Sequence, residues 1–216
     1  MIRPLACLAG LALLVGCTDD APINQPAAAN ETATANAAAP APVPDAARVR
    51  IETGAGAITL ELDGRRAPVT TANFLAYADQ GRFDGTSFYR AAPTRGAPGR
   101  GFIQGGIRRS YRRMLPPIAH EPTSKTGLRH EPGTISMART APGNAMGEFF
   151  ITTARMEQMD ARGDDPGYAA FGRVVEGMDV IRRILDAETI PNAGSGSMRG
   201  QMLADPVAIV RVRRVE

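Results

Sequence analysis

"TSFYRAAPTRGAPGRGFIQGG", residues 86–106, reads as two short buried strands around a Gly- and Pro-containing loop, yet it sets Arg90 beside Phe88 and Tyr89 and puts Gln104 inside the second strand. Charged and amide groups are costly in a buried strand unless something bonds or uses them. Outward from this hairpin the chain keeps the same texture. "RVRIETGAGAITLEL" (48–62) is two strands about a Gly turn, with Ile58, Leu60 and Leu62 alternating against Thr59 and Glu61, the period of a half-buried strand. Further short strands are expected at "GTISMA", "EFFITT", "AAFGRVVEG" and "PVAIVRVRR". Two helices interrupt them. Pro68 suits the first position of one, Phe74, Leu75 and Ala78 share a face, and Gly81 closes it in a left-handed cap. The other, "MDVIRRILDA", carries Val180, Ile181, Ile184 and Leu185 on one side. About eight short strands punctuated by glycine predict a mainly β fold, a closed eight-stranded barrel with two capping helices.

At 216 residues the chain suffices for one well-buried domain. Its start, "MIRPLACLAGLALLVGC", has Arg3 and then an apolar run from Leu5 to Gly16, too short to span a bilayer and fitting an export signal. The run ends Leu14-Val15-Gly16-Cys17 and resembles the lipobox of bacterial lipoproteins, in which cleavage precedes a cysteine that is then acylated. An ordinary signal peptide cut elsewhere is the alternative. The expected organisation is a signal peptide over 1–16, a lipidated Cys17 opening a disordered Ala/Pro-rich tether to 47, and one domain over 48–216. Without aromatics the tether cannot offset its ordering entropy, and Pro22, Pro26, Pro40, Pro42 and Pro44 oppose an Ala-rich helix. Cys7 lies in the removed segment, so a lipidated Cys17 leaves the domain without a thiol and excludes disulfides and thiol catalysis. Attachment by more than one acyl chain is stable. Thr18 stands where inner-membrane retention signals place Asp, which favours the outer membrane and a domain facing the periplasm. From Arg48 onward 24 basic residues, all Arg except Lys125, face 18 acidic ones, a formal +6 that favours anionic surfaces without naming a partner.

Conventional catalytic sets are missing from the sequence: it has no G-x-S-x-G elbow, no P-loop and no H-E-x-x-H. His120 and His130 each precede Glu-Pro, ten residues apart and far from any cysteine, and read as loop residues rather than metal ligands. "IRRSYRRM" (107–114) mixes arginine with tyrosine as nucleic-acid surfaces do, but in an exported chain it reads as a solvated loop, so no nucleic-acid partner is expected.

What remains is a set of motifs in order: "APVTTANFLAYADQGRFDGTSFYR" (67–90), "IQGG" (103–106), "PPIAHE" (116–121), "GLRHEPGTISMART" (127–140), "EFFI" (148–151) and "GYAAFGRVVEGMDVI" (167–181). Together they make residues 49–215 resemble the cyclophilin-type peptidyl-prolyl cis-trans isomerases of the bacterial periplasmic kind. The resemblance implies an eight-stranded barrel with two helices, in agreement with the strand count. It also implies an activity that needs no nucleophile, metal or cofactor. Twisting an X-Pro amide out of conjugation meets a barrier of about 18–20 kcal/mol, and the prolyl nitrogen regains a lone pair on the way. A charged donor that bonds the twisted amide better than the planar one lowers that barrier.

By the same resemblance the catalytic arginine falls at Arg90 and its glutamine at Gln104, which would hold the substrate carbonyl or position the arginine. The apolar cup for the proline ring falls at Phe102, Met137, Phe150 and Met159. Ala138 and Arg139 would offer backbone groups to the extended peptide. Several positions depart from the family. Tyr89 stands where the family usually has histidine and can still donate a hydrogen bond; Tyr168 stands where histidine is frequent, as in other bacterial members; both are expected, with Glu148, to border the substrate. Gly101 replaces the aromatic expected before Phe102, and the 93–101 loop is longer than usual. Glu148 replaces glutamine, bringing a carboxylate that could draw Arg90 away or orient it. Gln158 matches the tryptophan that favours cyclosporin in eukaryotic members, so weak inhibitor binding is expected. The resulting expectation is a monomeric, lipid-anchored isomerase acting on proline-containing peptides and unfolded envelope proteins. The alternatives are a non-catalytic peptide-binding or chaperone-like module on the same scaffold, and a passive envelope lipoprotein.

Overall fold

The computed structural model describes residues 43–108 and 110–216. The expected signal peptide, Cys17 and most of the tether lie outside the described residues. Among the described residues nine strands form one sheet: β1 (Ala46–Thr53), β2 (Gly56–Asp63), β3 (Thr86–Pro93), β4 (Gly101–Gly106), β5 (Thr134–Met137), β6 (Glu148–Thr152), β7 (Ala169–Glu176), β8 (Thr189–Ile190) and β9 (Met202–Val215). Their order is β1-β2-β7-β5-β6-β4-β3-β9-β8, and β1 also pairs with β9. That last pairing closes eight strands into an antiparallel barrel, which leaves no free edge except at two-residue β8. β1 begins at Ala46, paired with Asp63, two residues before the expected start of the domain.

Helix α1 (Pro68–Asp79) and helix α3 (Met178–Leu185) are the two expected helices, and a single turn, α2 (Thr123–Thr126), adds a third. Pro68 stands at the start of α1 as its fixed φ favours. Glu121 caps that end, accepting from the Val69 and Thr70 N–H groups at 3.1 and 2.8 Å, where a negative charge also meets the helix dipole. Gly81, at φ 62°, terminates the helix as expected. α1 buries more than the predicted stripe: Thr70, Thr71, Asn73 and Tyr77 are covered as well as Phe74, Leu75 and Ala78. α3 buries Val180, Ile181, Ile184 and Leu185 as its pattern indicates.

The core fills the barrel interior. Phe149 lies edge-on to Phe74, Phe83 and Phe88 with centroids 5.4–5.7 Å apart, a favoured aromatic geometry. Strand alternation then decides which residues can reach solvent. On β6, Phe149 and Ile151 belong to the core and Phe150 to the outer face; on β4, Ile103 points in while Phe102 and Gln104 point out. On β3 the alternation breaks, because the register slips between Phe88 and Arg90 against both β4 and β9. This bulge at Tyr89 lets Phe88 and Ala91, three residues apart, both enter the core while Arg90 turns outward opposite Gln104. The odd polar residues of the hairpin are therefore not buried in the barrel; they stand on its outside.

Candidate active site

Four neighbouring strands, β3, β4, β6 and β5, present the outward residues. Arg90 faces Gln104, Gln104 faces Phe150, and Phe150 faces Ser136 across successive ladders. The Arg90 guanidinium lies over the Phe102 ring, 4.9 Å from its centroid. Its Nη1 donates to Gln104 Oε1 at 2.8 Å, and Nε and Nη2 donate to Gln201 Oε1 at 2.9 and 2.7 Å. Partial burial pushes its pKa down, with Tyr89 and Tyr168 opposing, but a guanidinium stays charged. An aromatic wall continues from it: Phe102 tilts against Phe150 at 5.4 Å, and Phe150 meets Tyr168 edge-on at 5.3 Å. Half-buried Met159 adjoins the wall, its carbonyl accepting from the Tyr168 N–H at 2.9 Å. Arg139 stacks over Tyr168 at 4.9 Å and donates from Nε to the Gly167 carbonyl at 3.1 Å.

Gln104 links Arg90 to a polar pair behind it. Its oxygen accepts from Arg90, and its Nε2 donates to the Tyr89 hydroxyl at 2.7 Å and to Glu148 Oε2 at 3.2 Å. Tyr89 in turn donates to Glu148 Oε2 at 2.5 Å, while the Arg108 guanidinium covers its ring at 5.2 Å. Burial, and then the Glu148 charge, hold the Tyr89 phenol far above its ordinary value, so it remains a donor. Glu148 thus engages Tyr89 and Gln104, and Arg90 meets no carboxylate among the described residues. The feared diversion of the cation does not occur.

Three expectations need correction. Met137 cannot line a cup: alternation on β5 turns it inward, and it is 1% exposed within the core. The Ala138 N–H is already spent on the Glu148 carbonyl at 2.9 Å, so of its two backbone groups only the carbonyl is left for a peptide. The Tyr89 hydroxyl donates its one hydrogen to Glu148 and accepts from Gln104, so it has no donor left for a substrate. At Gly101 the absent aromatic has a steric reason. Its φ is 152°, and a Cβ there would stand 2.3 Å from the Ala92 carbonyl oxygen.

His130, read from sequence as a loop residue, proves fully buried beneath the wall. Its ring stacks on Phe150 at 5.7 Å with an interplanar angle of 10°. Nδ1 donates to Asp160 Oδ1 at 2.7 Å, which leaves Nε2 to accept from Ser136 Oγ at 3.0 Å. Serine, imidazole and carboxylate in this order form a nucleophilic set elsewhere. Here Ser136 and His130 are 0% exposed, so no carbonyl can approach the hydroxyl, and the trio serves as a floor for Phe150. His120 points elsewhere, to the Pro166 carbonyl at 3.0 Å. Burial lowers the His130 pKa below its ordinary 6.5, against the pull of Asp160. The unfolded chain then takes up a proton that the folded chain resists, so stability is complete above about pH 6.5 and falls as pH drops through that value. Urea midpoints should decline from pH 7.5 to 5.5 in the parent, and the slope should flatten in His130→Gln; equal slopes would place the titration elsewhere.

A family model described as cyclophilin type peptidyl-prolyl cis-trans isomerase/CLD matches residues 48–213. The chain belongs to the cyclophilin family. Peptidyl-prolyl cis-trans isomerase A of Dickeya dadantii is 40% identical to this cyclophilin over 138 residues, covering 63% of this chain and 70% of its own. A peptidyl-prolyl cis-trans isomerase of Acinetobacter baylyi is 34% identical over 163 residues, 75% of this chain and 82% of its own. Among solved structures, a cyclophilin-type isomerase of Cryptosporidium parvum, crystallised in the presence of the dipeptide Ala-Pro, superposes with a TM-score of 0.63 at 21% identity. That superposition covers 78% of this chain and 99% of the other. It bears on the fold, a barrel shared at low identity. Gln201, bonded to Arg90 from 111 residues away, is the site neighbour that sequence reasoning missed, because no local pattern marks it.

Proposed function

We propose that Arg90 is the group through which this peptidyl-prolyl cis-trans isomerase lowers the barrier to X-Pro rotation. The observation that carries the reading is the guanidinium held outward over Phe102 by two glutamine oxygens, at the end of an aromatic wall. Of its five N–H groups, three are taken by Gln104 and Gln201. Two remain for a peptide. Phe102, Phe150 and Met159 receive the proline ring, and the free N–H groups meet the prolyl nitrogen as its lone pair forms. That bond strengthens only as the amide twists, which is the condition for catalysis. Gln104 positions Arg90 through its oxygen, and because Tyr89 and Glu148 share one of its amide hydrogens the other remains for a substrate carbonyl, so both expected roles stand. The non-catalytic alternative drew on the remodelled 93–101 loop and on Glu148, and of these Glu148 is engaged by Tyr89 and not by Arg90. Turnover of a proline tetrapeptide by the parent and by Arg90→Ala tests the assignment.

For placement in the cell we propose a bacterial lipoprotein, anchored at Cys17 in the envelope, facing the periplasm and favouring the outer membrane, with unfolded envelope proteins as clients. The support is the Leu14-Val15-Gly16-Cys17 motif followed by an Ala/Pro-rich run. Cys17→Ser should move the protein from the membrane pellet to the soluble fraction, and mass spectrometry of the parent should find an acylated Cys17. An unmodified mature N-terminus at another residue would favour the ordinary export signal.

A further inference from the structure

Gln201 enters the site from a part of the chain that the motifs do not touch. It immediately precedes β9, where Met202 pairs with both Arg90 and Ile190. Its own backbone is fixed at both ends: its N–H donates to the Met198 carbonyl at 3.1 Å, and its carbonyl accepts from the Ala91 N–H at 3.0 Å. From that fixed point Oε1 takes two donors of one guanidinium, Nε at 2.9 Å and Nη2 at 2.7 Å. Gln104 takes Nη1 on the opposite edge at 2.8 Å. One contact alone would leave the planar group free to swing about its side-chain torsions, whereas contacts at two edges fix its plane and the direction of the two unused N–H groups. Both acceptors are neutral amides, so they orient the cation without cancelling its charge.

We infer that Gln201 is a positioning residue for isomerisation, setting the plane in which Arg90 presents its free N–H groups to the twisting imide. This rests on the reading of Arg90 as the group that acts on the imide. A misaimed guanidinium still shares the groove with a planar peptide but bonds the twisted one poorly, so the loss belongs in kcat and not in peptide affinity.

The test uses the full chain purified in detergent, with a proline tetrapeptide as substrate and Arg90→Ala, Gln201→Met and Gln201→Glu as variants. Gln201→Met keeps the shape and removes the acceptor; it should lower kcat about tenfold. Peptide Kd should stay within about twofold of the parent, and the Arg90 Nε–H resonance should lose its hydrogen-bonded shift. Gln201→Glu restores an acceptor oxygen, and should recover the Nε–H resonance and part of the rate. A Gln201→Met protein turning over at the parent rate beside an inactive Arg90→Ala overturns the inference and leaves the reading of Arg90 intact. So does a loss that appears in Kd with the Nε–H resonance unmoved. Should Gln201→Met fail to fold, Gln201→Glu decides: the Nε–H resonance is kept if the inference holds and lost if it does not. An Arg90→Ala protein at the parent rate removes both readings.

Discussion

Arg90→Ala should lower kcat/KM for a proline tetrapeptide by roughly a hundredfold to a thousandfold, the usual cost of deleting one donor aimed at transition-state charge. The fold should survive. Arg90 stands on the outside of the barrel, and its deletion frees the Gln104 and Gln201 oxygens, which solvent can reach once the side chain is gone; the stability cost should be about 1 kcal/mol. Arg90→Lys is a sharper probe. It keeps a charge but lacks the planar fork, so it cannot satisfy both glutamine oxygens and also face a peptide. Its rate should fall nearer to that of alanine than to that of arginine in the protease-coupled assay. Parent-level turnover by lysine would mean that charge alone suffices and that the held plane is irrelevant.

Phe149 and Phe150 are adjacent in sequence and opposite in orientation. Phe149 is 0% exposed and touches Phe74, Phe83 and Phe88 inside the barrel. Truncation to alanine opens a cavity among aromatic rings and should cost about 3–5 kcal/mol of stability, while the folded fraction keeps its rate. Phe150 lies on the outer face of the barrel, but Phe102, Tyr168 and His130 cover it to 3% exposure. Phe150→Ala should therefore cost stability too, and by collapsing the wall that backs the proposed proline cup it should lower kcat/KM of the folded fraction roughly tenfold. Urea melts and tetrapeptide kinetics on both variants separate the two roles. If Phe150→Ala retained full activity and Phe149→Ala abolished it, the outward face would not be the working one.

The contrast also shows why part of the site could be read from sequence and part could not. Signals confined to one segment were legible: Pro68 and Gly81 bounding α1, the period-2 strands, and Arg90 and Gln104 on the two strands of one hairpin. Tyr89 defeated the period, because a bulge changes the face of every residue after it without leaving a mark in composition. Met137 was placed in the cup on resemblance alone, although the alternation of "TISM" sends it to the side opposite Ser136. The Ser136, His130 and Asp160 chain spans 24 residues between its outer members and needs β5, the preceding loop and a later turn to converge. Gln201 needs β9 to return beside β3, a pairing across more than a hundred residues. β8, at two residues, is too short to show any period.

The central claim is that Arg90 binds the twisted imide better than the planar one. It is tested most directly by NMR exchange between the cis and trans forms of an Ala-Pro peptide bound to the enzyme, in the parent and in Arg90→Ala. The account predicts that Arg90→Ala still binds the peptide, within about fivefold in Kd, while on-enzyme exchange slows by at least roughly a hundredfold. Exchange at the parent rate in peptide-bound Arg90→Ala would contradict it.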